Sequence, residues 1–265
     1  MHRYLFRAGA ITVYSYGAML ALAFLLGTVL AAHRANRRGI APNTVIDLVL
    51  AILVSSLVGA RLLFVLLERD YYRHNLLDAF RIWEGGLVFY GGLLSGLAAA
   101  AIFIRARKLR FGTMADIISP SLALGMAIGR IGCFLNGCCW GKVSFRWGIC
   151  FPARDNPGPF AQQVYAGLIS PDAACSLPVL PTQLYESVAC LLIFLVLLRI
   201  ERRAHTEGVL FWIFVLLYAA FRFFIEGLRY YEPAFIPGPL TVSQLISIVL
   251  CIAAATALAR LRRTT

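Results

Sequence analysis

Ionisable and hydrogen-bonding side chains are scarce within the apolar stretches of this chain, so each of them is a candidate for chemistry. A guanidinium group at membrane depth is stable only when it is paired or lines a wet cavity, and such residues mark functional sites by default. Three arginines together with several acids exceed what an inert membrane anchor needs. The polar residues in and beside the apolar stretches are Tyr14, Tyr16, Asp47, Arg61, Tyr90, Asp116, Arg130, Asn136, Gln183, Tyr185, Glu186, Tyr218, Arg222 and Glu226.

Arg130 and Arg222 are the strongest pair of candidates. Each lies towards the outer end of a different apolar stretch, as Tyr90 also does. Because guanidinium forks match phosphate oxygens bidentately, two arginines that converge from different helices would form a phosphate site. Their shared depth predicts a pocket for a lipid headgroup. Glu226 lies one helical turn after Arg222, and this pair fits a structural salt bridge equally well.

Paired glycines flank Tyr90 in the segment 85–92. Glycine pairs in a membrane helix usually allow close helix packing, although glycines on both sides of one hydroxyl-bearing ring also fit a helix start opened for a ligand. Tyr16, also beside a glycine, leaves a similar choice between an interfacial anchor and a ligand contact. Glu186 follows Pro181 in the first turns of its stretch, which is a common helix start, so alone it is weak evidence for chemistry.

Membrane-spanning helices are the elements that must position these side chains. Hydrophobic residues make up 60% of the chain, well above the roughly half-apolar usage of soluble domains. We therefore predict an all-α polytopic membrane protein, whose first apolar run is a span rather than a cleavable signal peptide. Residues 136–180 are predicted to form a small head inserted between spans four and five of a single membrane domain. The seven predicted spans, each long enough for a hydrocarbon core of about 30 Å, are residues 11–32, 44–67, 86–104, 114–135, 182–199, 208–226 and 239–260.

The net charge of +12 is explained by where the basic residues lie. They cluster after the first, third, fifth and seventh spans, on the same side of the membrane each time. Short loops rich in lysine and arginine stay in the cytoplasm, which predicts an outer N-terminus and a cytoplasmic C-terminus. This alternation argues against nucleic acid as a partner and favours membrane lipids. The basic residues concerned are Arg34, Arg37, Arg38, Arg105, Arg107, Lys108, Arg110, Arg199, Arg202, Arg203, Arg260, Arg262 and Arg263.

Seven cysteines are present, but their spacing lacks the paired pattern and the histidines of a structural zinc site. We therefore expect no metal. Cys190 and Cys251 lie within spans and are expected to pack as small apolar residues. Four others follow the fourth span on the predicted outer, oxidising side, where a disulfide among them can form. These four are Cys138, Cys139, Cys150 and Cys175.

The ordered set of these segments resembles the prolipoprotein diacylglyceryl transferase family, bacterial inner-membrane enzymes that begin lipoprotein maturation. The resemblance covers nearly the whole chain and is much more specific than any single motif within it. It implies seven transmembrane helices and a periplasmic head, in agreement with the topology that the charges predict. The segments that carry it are residues 16–17, 34–37, 83–92, 116, 129–141, 181–186 and 218–229.

The resemblance implies transfer of the diacylglyceryl group from phosphatidylglycerol to the thiol of a lipobox cysteine in a prolipoprotein, with release of glycerol phosphate. A departing phosphate gathers negative charge, which fixed cations in a low-dielectric pocket stabilise. The substrate supplies the thiol, so no cysteine of this chain need be a nucleophile and no cofactor is required. We expect a monomeric, multi-pass protein of the bacterial inner membrane with its active site towards the periplasm.

The resemblance also assigns roles to individual residues. Three positions depart from the family pattern: Tyr90 replaces a histidine proposed as the base, Cys133 an asparagine and Cys138 an acid. A tyrosine hydroxyl ordinarily has a pKa of about 10 and is a poor base at neutral pH, which leaves the two glutamates or the leaving phosphate to take the proton. Catalytic roles are predicted for Arg130, Arg222, Tyr90, Glu186, Glu226 and Tyr218, and phosphatidylglycerol contacts for Arg130, Arg222, Tyr16, Asn136, Gly141, Gly86 and Gly91.

Two other functions remain compatible with the sequence. One is a divergent paralogue that uses the same lipid pocket on a different acceptor, which the altered positions Tyr90, Cys133 and Cys138 suggest. The other is a transporter or a lipid-binding protein without catalysis. The sequence shows no internal repeat at a fixed offset, and this weakens the transporter hypothesis because many transporters are built from inverted repeats.

Overall fold

The computed structural model describes residues 3–8, 11–81, 85–154, 157–202, 206–231 and 240–263. Arg203, the 83–84 part of the family-like segment and the predicted start of the last span at residue 239 lie outside these ranges. The chain divides into two compact units. The first unit comprises Met1–Gly27 and Ala115–Thr265, and the second unit comprises Thr28–Met114.

The described residues are mainly helical, as the sequence predicts. Seven of the helices are long and apolar enough to cross a membrane, which confirms the all-α polytopic class. These are α1, α2, α4, α5, α7, α8 and α9. The helix bounds are α1 Ser15–Arg37, α2 Pro42–Leu67, α3 Arg69–Tyr72, α4 Phe89–Ala106, α5 Phe111–Asn136, α6 Gly158–Tyr165, α7 Thr182–Glu201, α8 Val209–Glu226 and α9 Val242–Arg263, with a 3₁₀ helix at Leu76–Phe80.

The predicted starts of two spans are wrong. Ile11–Tyr14 does not begin the first span but forms strand β2, which pairs antiparallel with strand β1, Tyr4–Ala8. Its β-branched residues favour an extended backbone over a helix. The third span begins at Phe89 rather than near Gly86, because Gly86 has a φ angle of +74°, which a right-handed helix excludes.

In the second unit, α2 and α4 pack closely along a line of small residues. A Cβ added to Gly91 would collide with the carbonyl oxygen of Gly59, and one added to Gly92 would lie 3.1 Å from the carbonyl oxygen of Ser56. The paired glycines at the start of α4 therefore allow the two helices to approach closely, which is the first of the two interpretations that the sequence left open.

Arg61 of α2 organises the loop that leads into α4. Its three guanidinium nitrogens donate hydrogen bonds of 2.6 to 3.3 Å to backbone carbonyl oxygens. The guanidinium group also lies over the rings of Phe64 and Tyr72, 5.5 and 5.6 Å from their centroids. Arg61 is thus a structural group. The accepting carbonyls belong to Asp78, Ala79, Arg81, Gly85 and Gly86.

In the first unit, α5, α7 and α8 share an apolar core around Ala123, Leu197 and Leu210. Asp116 of α5 is fully buried and accepts hydrogen bonds from the backbone N–H groups of Gly208 and Phe211, at 2.8 and 2.9 Å. These donors lie at the start of α8, where N–H groups lack partners within the helix. Asp116 therefore caps α8 from a neighbouring helix.

The segment that joins α5 to α7 contains α6, isolated β-bridges and a disulfide between Cys150 and Cys175. Val143 and Ile149 each form a β-bridge with Val179, which folds the segment back on itself. The sequence left the disulfide pairing open among four cysteines. The structure pairs Cys150 with Cys175 and leaves the other two, at positions 138 and 139, as free thiols.

Candidate active site

The predicted charged residues of the first unit meet around one carboxylate. Glu186 of α7 lies between two guanidinium groups: Nη2 of Arg130 on α5 is 2.7 Å from its Oε1, and Nη1 of Arg222 on α8 is 3.7 Å from its Oε2. Tyr218, one turn before Arg222, donates a hydrogen bond of 3.1 Å to Oε1 of Glu186. The two arginines therefore converge from different helices, as the sequence predicts, and Glu186 joins them.

A second carboxylate holds Arg222 from the other side. Nη2 of Arg222 is 2.8 Å from Oε2 of Glu226, one turn further along α8, as the spacing predicts. Oε1 of Glu226 accepts hydrogen bonds from Tyr231 and Thr241, at 2.6 and 3.2 Å. Burial and the hydrogen bond to Glu226 raise the pKa of the Tyr231 hydroxyl above its usual value. Both oxygens of Glu226 are thus engaged, and this carboxylate fixes the position of Arg222.

The two arginines retain hydrogen-bonding capacity although their charges are balanced by the two glutamates. Each guanidinium group carries five N–H donors. Among the described residues, Glu186 is the polar partner of Arg130, and Nη1 of Arg222 is buried without a hydrogen-bond partner. The Glu186 side chain is 2% exposed, whereas those of Arg130 and Arg222 are 20% and 16% exposed. Both arginines therefore keep unused donors on partly exposed side chains, while the acid between them is covered.

The start of α7 is tied to the turn that follows α5. Thr182 donates a hydrogen bond of 2.8 Å to the carbonyl oxygen of Cys139, and Gln183 donates one of 2.6 Å to that of Cys138. Oε1 of the fully buried Gln183 has no hydrogen-bond partner among the described residues. These bonds fix the beginning of α7 against the end of α5, and thereby the depth at which their charged groups meet.

Gly141 is a backbone packing position. Its N–H donates a hydrogen bond of 2.9 Å to the carbonyl oxygen of Leu180. A Cβ at this position would lie 2.6 Å from the carbonyl oxygen of Leu228, so a side chain would force the two segments apart. This packing accounts for the glycine, and the predicted lipid contact of Gly141 stays a prediction.

Three free thiols, those of Cys133, Cys138 and Cys139, lie close together at the end of α5 and in the turn that follows it. Hydrogen bonds with the thiols of Cys133 and Cys138 lower the pKa of the Cys139 thiol, and the positive charges of Arg229 and Arg130 act in the same direction against the effect of burial. The cysteine spacing in the sequence gave no sign of this grouping.

Tyr16 and Asn136 lie close to the same end of α5. The ring of Tyr16 packs on Gly132, where a Cβ would lie 3.3 Å from Tyr16 Cδ2, and the Tyr16 residue is 41% exposed. Asn136 is the last residue of α5 and is half-buried. Asn136 therefore lies on the same helix as Arg130, and Tyr16 of α1 packs on that helix two residues after Arg130. Their contacts with lipid stay predictions.

Tyr90, Gly86 and Gly91 belong to the second unit. Tyr90 lies in the first turn of α4 and is 60% exposed. Gly86 accepts a hydrogen bond of 3.1 Å from Arg61, and Gly91 packs against α2. Structural roles thus account for both glycines, while the predicted lipid contacts of all three residues stay predictions.

Two residues near the site had no catalytic or lipid-binding role assigned from the sequence. Arg229 has a buried Nε without a hydrogen-bond partner among the described residues, and its guanidinium lies over the ring of Tyr231 at 5.6 Å. Gln183 holds the turn after α5. The sequence signal for Arg229 was its position three residues after Glu226, just beyond the end of α8.

Comparisons with known proteins agree on one family. The family model described as prolipoprotein diacylglyceryl transferase matches residues 3–260. The relatives below are all named phosphatidylglycerol–prolipoprotein diacylglyceryl transferase. One from Geobacillus kaustophilus is 36% identical over 258 residues, covering 95% of this chain and 89% of the relative.

Two further relatives show the same extent of similarity. One from Geobacter sulfurreducens is 34% identical over 251 residues, covering 91% of this chain and 88% of the relative. One from Acaryochloris marina is 33% identical over 248 residues, covering 92% and 85%. With a family model and relatives that cover nearly the whole length, and with two arginines joined by one buried glutamate, the chain belongs to the prolipoprotein diacylglyceryl transferase family.

Proposed function

We propose that this protein transfers the diacylglyceryl group of phosphatidylglycerol to the lipobox cysteine of prolipoproteins, and that Arg130 and Arg222 bind the phosphate that leaves. The observation that carries the assignment of the site is the convergence of these two guanidinium groups on Glu186. Both side chains are partly exposed and keep unused donors, and a guanidinium fork matches the geometry of phosphate oxygens.

The reaction replaces a carbon–oxygen bond with a carbon–sulfur bond. The substrate thiol attacks the glycerol carbon, the phosphate departs as glycerol phosphate, and the thiol loses its proton. The leaving phosphate gains negative charge as the bond breaks, so Arg130 and Arg222 stabilise the transition state more than the starting lipid. No atom of this chain is bonded to the product.

The two glutamates position the arginines. Glu186 has Arg130 and Arg222 on its two oxygens, and Tyr218 orients it through a hydrogen bond. Glu226 holds Arg222 through a bond that Tyr231 supports. A guanidinium group fixed in this way needs little reorganisation when the negative charge develops. The proton of the thiol passes to Glu186 or leaves with the phosphate.

The charge pattern supports a proposal for the cellular setting. We infer that the chain lies in the bacterial inner membrane as a monomer, with its N-terminus and the segment 136–180 on the periplasmic side. The basic clusters after α1, α4, α7 and α9 would then all face the cytoplasm. The proposed phosphate site lies at the end of α5 that continues into this segment, which supports an active site towards the periplasm.

The test is a reconstituted transfer assay. Proteoliposomes that contain phosphatidylglycerol receive a lipobox peptide, and both glycerol phosphate release and the mass of the peptide are measured. The parent protein should release glycerol phosphate and add a diacylglyceryl group to the peptide. In Arg130→Gln the rate of release should fall by a factor of about 100 or more. Arg107→Gln is the matched control, since Arg107 is exposed and pairs with Asp47. Unchanged turnover in Arg130→Gln, or a parent without activity, would refute the proposal.

A further inference from the structure

The three thiols at the end of α5 form a compact cluster of soft ligands. The sulfur atoms of Cys133, Cys138 and Cys139 all lie within 4.8 Å of one another. None of the three is in a disulfide, and all are partly exposed rather than sealed in the core. Buried structural cysteines usually pack singly as small apolar residues, so a group of three accessible thiols calls for a different explanation.

The fold brings two of these cysteines together through the end of the helix. The N–H of Cys138 donates to the carbonyl oxygen of Cys133, and the N–H of Gly137 donates to that of Phe134, at 3.1 and 3.2 Å. With Gly137 at a φ of +72°, this is the Schellman motif, in which the residue after the glycine lies against the one five positions earlier. This helix end therefore brings the side chains of Cys133 and Cys138 together.

The third cysteine joins them through an unusual backbone conformation. Cys139 has a φ of +63°. This is a left-handed backbone conformation, which residues other than glycine rarely adopt and which the surrounding structure must hold in place. The carbonyl oxygens of Cys138 and Cys139 accept hydrogen bonds from Gln183 and Thr182. The turn is therefore fixed before any ligand arrives, as metal sites require.

The separation of the sulfur atoms suits a metal ion. Three sulfurs that surround one ion at about 2.3 Å lie roughly 4 Å from each other. The cluster needs to contract by less than about 1 Å to reach this geometry. Arg130 and Arg229 both interact electrostatically with Cys139, so the negative charge of a metal–thiolate group would be compensated in part.

We propose that Cys133, Cys138 and Cys139 bind one soft, thiophilic cation, Cu⁺, through their three sulfur atoms. Thiolate ligands select Cu⁺ and Zn²⁺ over harder cations. Zn²⁺ almost always takes four ligands in structural sites, and among the described residues no histidine, acid or further cysteine completes this cluster. Cu⁺ is satisfied by three sulfurs, and so it fits the donors present. Bound there, the ion ties the last turn of the helix that carries Arg130 to the turn that follows it.

The experiment is a Cu⁺ competition titration on the full chain, purified in detergent without oxygen and without lipid substrate. Cu⁺ is supplied against a chromophoric chelator of known affinity. The parent protein should take one equivalent from the chelator and gain thermal stability. Cys133→Ser, Cys138→Ser and Cys139→Ser should each weaken binding by more than about 100-fold. Cys251→Ser, a free cysteine of α9 outside the cluster, should bind like the parent.

X-ray absorption of the Cu⁺-loaded parent tests the same site without a substitution. Three sulfur neighbours at one distance are expected. Failure to compete for Cu⁺, two sulfur neighbours only, equal binding by Cys133→Ser, or stoichiometric replacement of Cu⁺ by Zn²⁺ at similar concentrations would each overturn the proposal. Because none of these measurements uses phosphatidylglycerol or turnover, their result is independent of the proposed transferase activity.

Discussion

Arg61 and the pair Arg130 and Arg222 carry the same charged group inside apolar helices, yet their surroundings differ in kind. Arg61 gives its N–H groups to backbone carbonyl oxygens and is 7% exposed. Arg130 and Arg222 face carboxylates, keep donors in reserve and are more exposed. A guanidinium group whose N–H donors all bind carbonyl oxygens holds a loop in place. A guanidinium group that is held by a carboxylate and keeps unused N–H donors can bind an anion. Sequence shows only that all of these arginines lie in apolar stretches.

The largest effect is expected at Arg222, whose Nη1 has no hydrogen-bond partner among the described residues. Arg222→Gln should lower glycerol phosphate release by about 100-fold or more, because it removes a fixed charge that stabilises the leaving phosphate. The rate is measured in proteoliposomes at saturating phosphatidylglycerol, with thermal unfolding as a check that the variant is folded. A folded Arg222→Gln variant with the parent's rate would place the phosphate elsewhere.

The opposite pattern is expected at Arg61. Arg61→Met should lower the free energy of unfolding by about 3 kcal/mol or more, since five backbone carbonyl oxygens lose their donor and the loop loses its anchor. Turnover per folded molecule should stay within about threefold of the parent. Thermal unfolding in detergent and turnover normalised to folded protein separate the two effects. A stable Arg61→Met variant with lost turnover would erase the distinction between the two kinds of arginine.

Removal of the carboxylate that joins the arginines should have a smaller effect. Glu186→Gln keeps the shape but not the charge, so both guanidinium groups lose a charge-assisted partner, and we expect turnover to fall about tenfold. If Glu186 only positions the arginines, the pH profile of the remaining rate should match that of the parent. A changed profile would instead make Glu186 the acceptor of the thiol proton.

Tyr218 should matter less again. Tyr218→Phe removes the hydrogen bond to Glu186 while the ring keeps its stacking on Phe214. A hydrogen bond to a charged group contributes about 1.5 kcal/mol or more, but this one acts on the phosphate only through Glu186, so we expect roughly a fivefold loss of rate. Tyr230→Phe serves as the control, since its hydroxyl accepts a hydrogen bond from Gln162 and does not contact the glutamates. Equal turnover rates for Tyr218→Phe and Tyr230→Phe would show that the hydroxyl of Tyr218 has no role in the site.

The smallest effect is expected at Tyr90. A tyrosine is a poor base at neutral pH, so Tyr90→Phe should keep turnover within about twofold of the parent. Tyr90→His, which restores the residue of the family pattern, shows whether a base at this position adds to the rate. A large loss in Tyr90→Phe that Tyr90→His reverses would show that a proton passes through this position.

Much of the fold could be predicted from the sequence, because it depends on composition and short-range spacing. The spans follow from hydropathy, and the pairing of Arg222 with Glu226 follows from their separation by one turn. The strand at Ile11–Tyr14 was missed because an apolar β-branched run is compatible with either a span or a strand. Pairing with the strand at residues 4–8 makes this run a strand rather than part of a span, and a hydropathy profile contains no information on strand pairing.

The arrangement of the site could be predicted only in part. That Arg130 and Arg222 converge was inferred from their depth, but Glu186 as the group between them depends on how three helices pack. Asp116 as the cap of α8 depends on a contact between residues 92 positions apart. The cysteine cluster depends on a helix end and one left-handed residue, Cys139. Pairwise spacing contains none of this information.

Retention of phosphatidylglycerol tests most directly whether the two kinds of arginine differ in function. The parent, Arg130→Gln, Arg222→Gln and Arg61→Met are purified in mild detergent with phosphatidylglycerol and a neutral diacylglycerol, and native mass spectrometry counts the bound lipid. The parent and Arg61→Met should retain phosphatidylglycerol in preference to the neutral lipid, and both other variants should lose that preference. Equal preference in all four folded proteins would contradict a phosphate site at Arg130 and Arg222.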